Sequence, residues 1–243
     1  MNWLSHTPIA HRGLHDEAAP ENSLLAIDQA IAGGFAIEID VHLSADQQVV
    51  VFHDSTLKRM TGLDGRLADF TLTELQHINL VNSACHIPSL AQVLERINGQ
   101  VPLLIEIKNK GQVGPLEQAI AAQLDNYTGE FALQSFNPYS MAWFAKHRPA
   151  WLRGQLSCDF RDEHDMAWLK KFLLRHLLMN HISQPHFIGY DVRCLPAWAV
   201  TRARKTGKTV LAWTINSATK QQHANQFADN IIFEGLNDPW LKN

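Results

Sequence analysis

The sequence contains no long hydrophobic run. No window approaches the roughly 18–20 uninterrupted apolar residues that a membrane-spanning helix requires, so no transmembrane segment is expected. It also lacks a basic surplus: 21 Lys and Arg against 24 Asp and Glu leave a formal net charge of −3. Proteins that grip a phosphate backbone need such a surplus, so no nucleic-acid partner is expected. Cysteine is scarce. Cys85, Cys158 and Cys194 are odd in number, far apart and without a CxxC pair, which suits reduced thiols rather than a disulfide framework. The opening residues, Met1-Asn2-Trp3-Leu4-Ser5-His6-Thr7-Pro8, have no basic region, apolar stretch or cleavage site of a secretory leader. A cytoplasmic location is therefore expected. Low-complexity tracts, Pro/Gly/Ser-rich linkers and repeats of about 20–50 residues are missing as well, which argues against solenoids and tethered modules.

What is present is a chain of 243 residues, 46% of them hydrophobic, in which short β-rich runs alternate with helical patterns. Candidate strands cover residues 8–11, 36–43, 48–53, 102–108, 131–135, 151–157, 186–191, 209–215 and 230–233. Several are continuous apolar runs ending in a polar residue, as strands buried on both faces require. Candidate helices cover 23–32 (capped by Asn22 and closed by Gly33-Gly34), 89–97, 115–124, 138–146, 163–179, 196–205 and 218–227. The apolar stripe of the 163–179 segment, with Trp168, Leu169, Phe172, Leu173, Leu177 and Leu178, is expected to face a core. Strands alternating with helices imply parallel βα units, and this many in one domain predicts an α/β fold of the TIM-type (β/α)8 barrel class, spanning 1–243 as one domain. The barrel should be distorted. Only residues 44–47 separate the second and third strands, too few for a parallel crossover, so one of the two must form a hairpin or bend sharply. Residues 55–87 have no strong period and are expected to be a loop insertion after the third strand, capping one barrel mouth.

Polar residues fall at informative places. His11-Arg12-Gly13 ends the first strand, Glu38-Ile39-Asp40 lies in the second, His53-Asp54 ends the third and Glu106-Ile107-Lys108 the fourth. Positions i and i+2 of a strand share a face, so Glu38 and Asp40 point together, as do Glu106 and Lys108. Charged residues at strand C-termini sit where barrel enzymes place their chemistry. Three buried carboxylates need positive charge nearby. A hard divalent cation held by Glu38, Asp40 and Glu106 would supply it, and oxygen-only donors favour Mg²⁺ or Ca²⁺. A charge network with Arg12 and Lys108 is the alternative. His11 and His53 suit general acid–base work near neutral pH. Most of the other histidines, His15 among them, are expected to be surface or packing residues; His42 shares the face of Glu38 and Asp40.

The ordered set Ala10-His11-Arg12-Gly13, Pro20-Glu21-Asn22-Ser23, Glu38-Ile39-Asp40-Val41, Val51-Phe52-His53-Asp54, Leu57-Lys58-Arg59-Met60-Thr61-Gly62, Ile87-Pro88-Ser89-Leu90, Glu106-Ile107-Lys108, Ser135-Phe136 and Trp213-Thr214-Ile215-Asn216 resembles the glycerophosphodiester phosphodiesterase family, within the phospholipase-C-like phosphodiesterase barrels. The resemblance covers essentially the whole chain. It implies Glu38, Asp40 and Glu106 as metal ligands, His11 and His53 as the acid–base pair, and Arg12 and Lys108 as phosphate contacts. It further implies Glu21 near the ligand (or simply as a helix N-terminal acid) and Trp213 as an aromatic wall of the glycerol pocket (or as core filler). The implied reaction is attack by the glycerol 2-hydroxyl, then opening of the cyclic phosphate, releasing glycerol 3-phosphate and an alcohol. Departures from the family pattern are Ser23, Met60 and the Phe233-Glu234-Gly235 ending, where an Asp followed by Pro is usual. The small-molecule substrate is the expected partner. Alternatives are a lysophospholipid-directed relative, a metal-dependent sugar isomerase on a TIM barrel and a non-catalytic scaffold.

Overall fold

The computed structural model describes residues 2–235. In chain order the first half comprises α1 (Asn2–His6), β1 (Ile9–Ala10), α2 (Leu24–Ala32), β2 (Ala36–Leu43), β3 (Val49–Val51), α3 (Lys58–Thr61), α4 (Leu72–Gln76), α5 (Leu90–Ile97), β4 (Leu103–Ile107) and α6 (Pro115–Leu124). The second comprises β5 (Phe131–Ser135), α7 (Pro138–His147), β6 (Arg153–Ser157), α8 (Trp168–Arg175), α9 (Asn180–Ser183), β7 (Phe187–Asp191), α10 (Trp198–Lys205), β8 (Thr209–Ile215), α11 (Ala218–Phe227) and β9 (Asn230–Phe233). Each expected strand forms, some trimmed by one or two residues at an end. The fold is the TIM-type (β/α)8 class, with β3 as an additional strand.

Two compact units make up the described chain. One holds residues 9–131 together with 234–235. In it β1 and β4 both pair parallel with β2, while β3 pairs antiparallel with β2. The hairpin is closed locally: Ser44 and Gln48 exchange backbone and hydroxyl hydrogen bonds, and Gln47 turns the chain with a φ of 60°. The other unit holds residues 2–8 and 132–233, where β5 to β9 pair parallel in sequence. β4, β6 and β7 are buried along their whole length; β4 and β7 are mainly apolar, whereas β6 buries Arg153, Gln155 and Ser157.

Helix starts follow their caps. Ser89 and Gln92 form a capping box on α5, and Asn137 caps α7 ahead of Pro138 at its first position. The cap of α2 differs from expectation. Ser23, not Asn22, accepts the Ala26 N–H, because Asn22 adopts a left-handed φ of 59° and is turned toward β2. The 163–179 segment also departs. Its helix runs only from Trp168 to Arg175, since Leu177 takes a left-handed φ of 57° and redirects the chain into α9. Leu174 and Leu177 are buried, whereas Trp168, Leu169, Phe172 and Leu178 are exposed, so the expected core-facing stripe mostly faces outward.

Residues 55–87 are not structureless. α3, α4 and a 3-10 turn at Leu67–Asp69 wrap a small apolar cluster of Leu57, Leu67, Leu75, Leu80 and Ile87 against Val50 and Phe52 of the β3 region. This cluster anchors the insertion to the sheet. Leu67→Ala is expected to lower stability by about 2–4 kcal/mol through the cavity it leaves. Urea unfolding should show a lower midpoint at unchanged slope; an unmoved midpoint would mean the insertion is not part of the cooperative fold.

Candidate active site

Register brings the acidic side chains together. Glu38 and Asp40 lie on one face of β2, and the parallel pairing of β2 with β4 sets Asp40 opposite Glu106. All three carboxylates are buried, and one oxygen from each lies within 4.8 Å of the other two. Two side-chain cations reach them. Lys108 Nζ is 2.7 Å from Glu106 Oε1 and 3.0 Å from Asp40 Oδ1, and Arg12 Nε is 3.4 Å from Asp40 Oδ2.

Glu38 is left out of these pairs. Its Oε2 accepts the Arg12 backbone N–H at 3.0 Å, while its Oε1 is buried with no hydrogen-bond partner. Burial, and then the charges of Asp40 and Glu106, push its carboxyl well above the usual range. Asp40 goes the other way. Burial works against its charge, but Lys108 and Arg12 outweigh it and hold the carboxyl below the ordinary carboxylate range. Lys108 is likewise desolvated, yet Asp40 and Glu106 raise it above an ordinary lysine. Lys108 and Arg12 thus ion-pair with Asp40 and Glu106, although Asp40 Oδ1 makes no hydrogen bond, and Glu38 Oε1 is left buried without a hydrogen-bond partner. Opposite ligands of a magnesium-sized ion lie about 4.2 Å apart, and those of a calcium-sized ion about 5 Å. The three-oxygen cluster therefore fits a hard divalent cation in spacing and donor chemistry.

The turn after β1 supplies the first histidine. Arg12 and Gly13 both take positive φ, and a Cβ at Gly13 would lie 2.9 Å from the Ala26 backbone of α2, so only glycine fits there. Gly13 N–H bonds the Glu38 carbonyl and locks the turn onto β2. His11 Nδ1 lies 2.6 Å from Glu234 Oε1, which makes Nδ1 the protonated nitrogen and leaves Nε2 basic, 3.9 Å from Glu38 Oε2. The hydrogen bond from His11, with the His15 imidazole nearby, holds the Glu234 carboxyl below its ordinary range. His15, expected to be a bystander, has its Nε2 3.8 Å from the same oxygen.

A parallel arrangement holds the second histidine. His53 Nδ1 is 2.6 Å from Asp54 Oδ1, and the other Asp54 oxygen accepts from Arg59 Nε at 2.6 Å. Arg59, on α3, also donates to both oxygens of Glu21, which accepts from Arg12 as well. Glu21 is therefore a bridge between two guanidinium groups. Burial lowers the His53 imidazole below an ordinary histidine, against the opposing pull of Asp40. His42 donates through Nε2 to the His53 carbonyl, 3.0 Å away, and so supports this turn. Asn22 completes the surroundings of Asp40, its Nδ2 donating to Oδ2 at 2.9 Å.

Of the residues anticipated from sequence, His11, Arg12, Glu21, Glu38, Asp40, His53, Glu106 and Lys108 all lie in the unit that holds residues 9–131. Trp213 belongs to the other unit, on β8, with its ring edge-to-face against Phe136 at 5.6 Å and its buried Nε1 without a hydrogen-bond partner. Asp191, unassigned from sequence, caps the 3-10 turn after β7 and pairs with Arg193. Asn22, Asp54, Arg59, His15 and Glu234 were not anticipated in these roles. Asn22, Asp54 and Arg59 lie inside the quoted motifs, which was the available signal; Glu234 was visible only as a departure.

Among the described residues no helix is long and apolar enough to cross a membrane. A profile of the glycerophosphoryl diester phosphodiesterase family matches residues 11–233. YhdW of Bacillus subtilis, provisionally named a glycerophosphodiester phosphodiesterase, is 30% identical over 86% of this chain and 86% of its own. The glycerophosphodiester phosphodiesterase of Caldanaerobacter subterraneus is 29% identical over 86% of this chain and 85% of its own. An Oleispira antarctica phosphodiesterase, solved with its product sn-glycerol-3-phosphate, aligns with a TM-score of 0.79 at 26% identity, covering 94% of this chain and 92% of that one. With the profile spanning nearly the whole sequence, the chain belongs to the glycerophosphoryl diester phosphodiesterase family.

Proposed function

We propose that the protein hydrolyses glycerophosphodiesters to glycerol 3-phosphate and a free alcohol, with a divalent cation, Mg²⁺ or Ca²⁺, and two histidines as acid and base. One observation carries this reading: two imidazoles, each tied through Nδ1 to its own carboxylate, share a unit with three buried carboxylates that have an unused oxygen. Family membership and the product held by the Oleispira phosphodiesterase support the substrate class.

Glu38, Asp40 and Glu106 would hold the cation, which when bound supplies positive charge to the phosphoryl oxygens. Arg12 and Lys108 would bring their own charge to the non-bridging oxygens. His11 takes the proton of the glycerol 2-hydroxyl as its oxygen attacks phosphorus. The bond to the alcohol breaks, and His53 gives that alcohol its proton. Water then opens the cyclic phosphate with the two histidines exchanging roles. An asymmetry supports this order. Asp54 is shared with Arg59 and burial lowers the His53 imidazole below an ordinary histidine, which suits it to giving up a proton, whereas Glu234 pairs with His11 Nδ1 and leaves its Nε2 free. Residues 55–87 would cap the site, a role supported by the reach of Arg59 to Glu21 and Asp54.

A lysophospholipid substrate is the second reading, favoured by the exposed apolar side chains of α8. Comparing turnover of glycerophosphocholine with lysophosphatidylcholine separates the two. The sugar-isomerase alternative finds no support in the family match.

Two outcomes follow. His11→Ala and His53→Ala should each lose roughly 10²–10⁴-fold in kcat on glycerophosphocholine. With a p-nitrophenyl ester, whose leaving group needs no proton, His53→Ala should recover most of its loss and His11→Ala should not. Equal recovery, or none in either variant, would overturn the assignment of acid and base. Second, the Glu38 carboxyl is pushed above its ordinary range, so a proton competes with the cation there and cation affinity should rise with pH, by up to about tenfold per pH unit. Calorimetric titration in buffers of different ionisation enthalpy would detect the released proton. Affinity independent of pH would remove Glu38 from the ligand set.

A further inference from the structure

α8 presents an aromatic ridge that nothing among the described residues covers. Trp168 is 77% exposed, Leu169 51% and Phe172 46%, although Leu174 and Leu177 fasten the segment to the core. Trp168, Phe172 and His176 recur at a spacing of four and so lie along one side of the helix. The ridge continues onto α10. The His176 ring meets Phe172 at 4.5 Å and stacks on Trp198 at 5.9 Å, and Trp198 is itself 56% exposed.

The two helices of the ridge carry charge of one sign. α8 and α10 together hold six Lys and Arg (Lys170, Lys171, Arg175, Arg202, Arg204 and Lys205) and no acid, in a protein whose net charge is −3. Of these six, Arg204 is paired with Asp229. Lys171 and Arg175 follow Trp168 and Phe172 by three residues, which sets each beside an aromatic, and Arg202 follows Trp198 by one turn. Acidic residues gather instead ahead of α8, at Asp162, Glu163 and Asp165, so the helix runs from an acidic start to a basic end.

Aromatic side chains interleaved with lysine and arginine on one exposed face are the pattern of a surface that lies in the headgroup layer of an anionic bilayer. The rings enter the boundary region and the cations meet lipid phosphates. A protein partner for such a face would need a matching acidic rim. We infer that the α8–α10 ridge is a peripheral docking surface for anionic phospholipid membranes, with the basic end of α8 and the start of α10 toward the lipid. The docking involves no residue of the active site and does not depend on the reaction proposed for it.

The test is co-sedimentation of the full chain with vesicles of phosphatidylcholine alone and of phosphatidylcholine containing phosphatidylglycerol. Partition onto the anionic vesicles should be roughly tenfold or more above that onto the neutral ones and should fall at high salt. Trp168→Ser with Phe172→Ser, and separately Lys170→Glu with Lys171→Glu, should each abolish it at an unchanged unfolding midpoint. Equal partition onto both vesicle types, none onto either, or binding retained in both double variants would overturn the inference. So would a dimer in solution that the ridge variants dissociate without any vesicle binding, since the face would then belong to a second copy.

Discussion

Three carboxylates buried within 4.8 Å of one another set the terms for the rest of the site. An ionised carboxylate removed from water without compensation is penalised by several kcal/mol. Lys108 and Arg12 meet part of that demand, and their distances show where it goes: to Asp40 and Glu106. Glu38 keeps a bare oxygen and a carboxyl pushed toward neutrality. A buried carboxylate oxygen without a hydrogen bond is what the proposed cation would satisfy.

The chain holds this cluster in place with backbone more than with side chains. Gly13 allows the turn after β1 to press against α2, which brings the Arg12 N–H onto Glu38. Asn22 accepts a left-handed conformation and in return clasps Asp40 through both its amide groups. The β2–β4 register then needs no further device to set Glu106 beside Asp40. Around this frame two carboxylate–histidine pairs are arranged alike but electrostatically unequal, because one of the carboxylates is shared with an arginine. Unequal surroundings are how similar groups acquire opposite roles in one reaction.

Much of this was legible in the sequence because alternation along a strand is a strict rule. Glu38 with Asp40 and Glu106 with Lys108 had to share faces, and residues 44–47 between the second and third expected strands could not carry a parallel crossover. What escaped had a common cause: it depended on how separate segments meet. Asn22 reads as a helix cap until its backbone is seen to be left-handed. Glu234 lies 223 residues from His11, and no local pattern links them. The apolar period of 163–179 says that one side of a helix is hydrophobic but not whether the core lies on that side, and a break at Leu177 was enough to turn most of it outward.

The centre of the account is that the buried acids exist to bind a divalent cation on which phosphodiester cleavage depends. The most direct measurement is glycerol 3-phosphate release from glycerophosphocholine by chelator-treated protein, before and after Mg²⁺ or Ca²⁺ is restored. The account predicts negligible release without the cation, recovery on its return, and no recovery in Glu38→Gln. Undiminished release after chelation, or full recovery in Glu38→Gln, would contradict it.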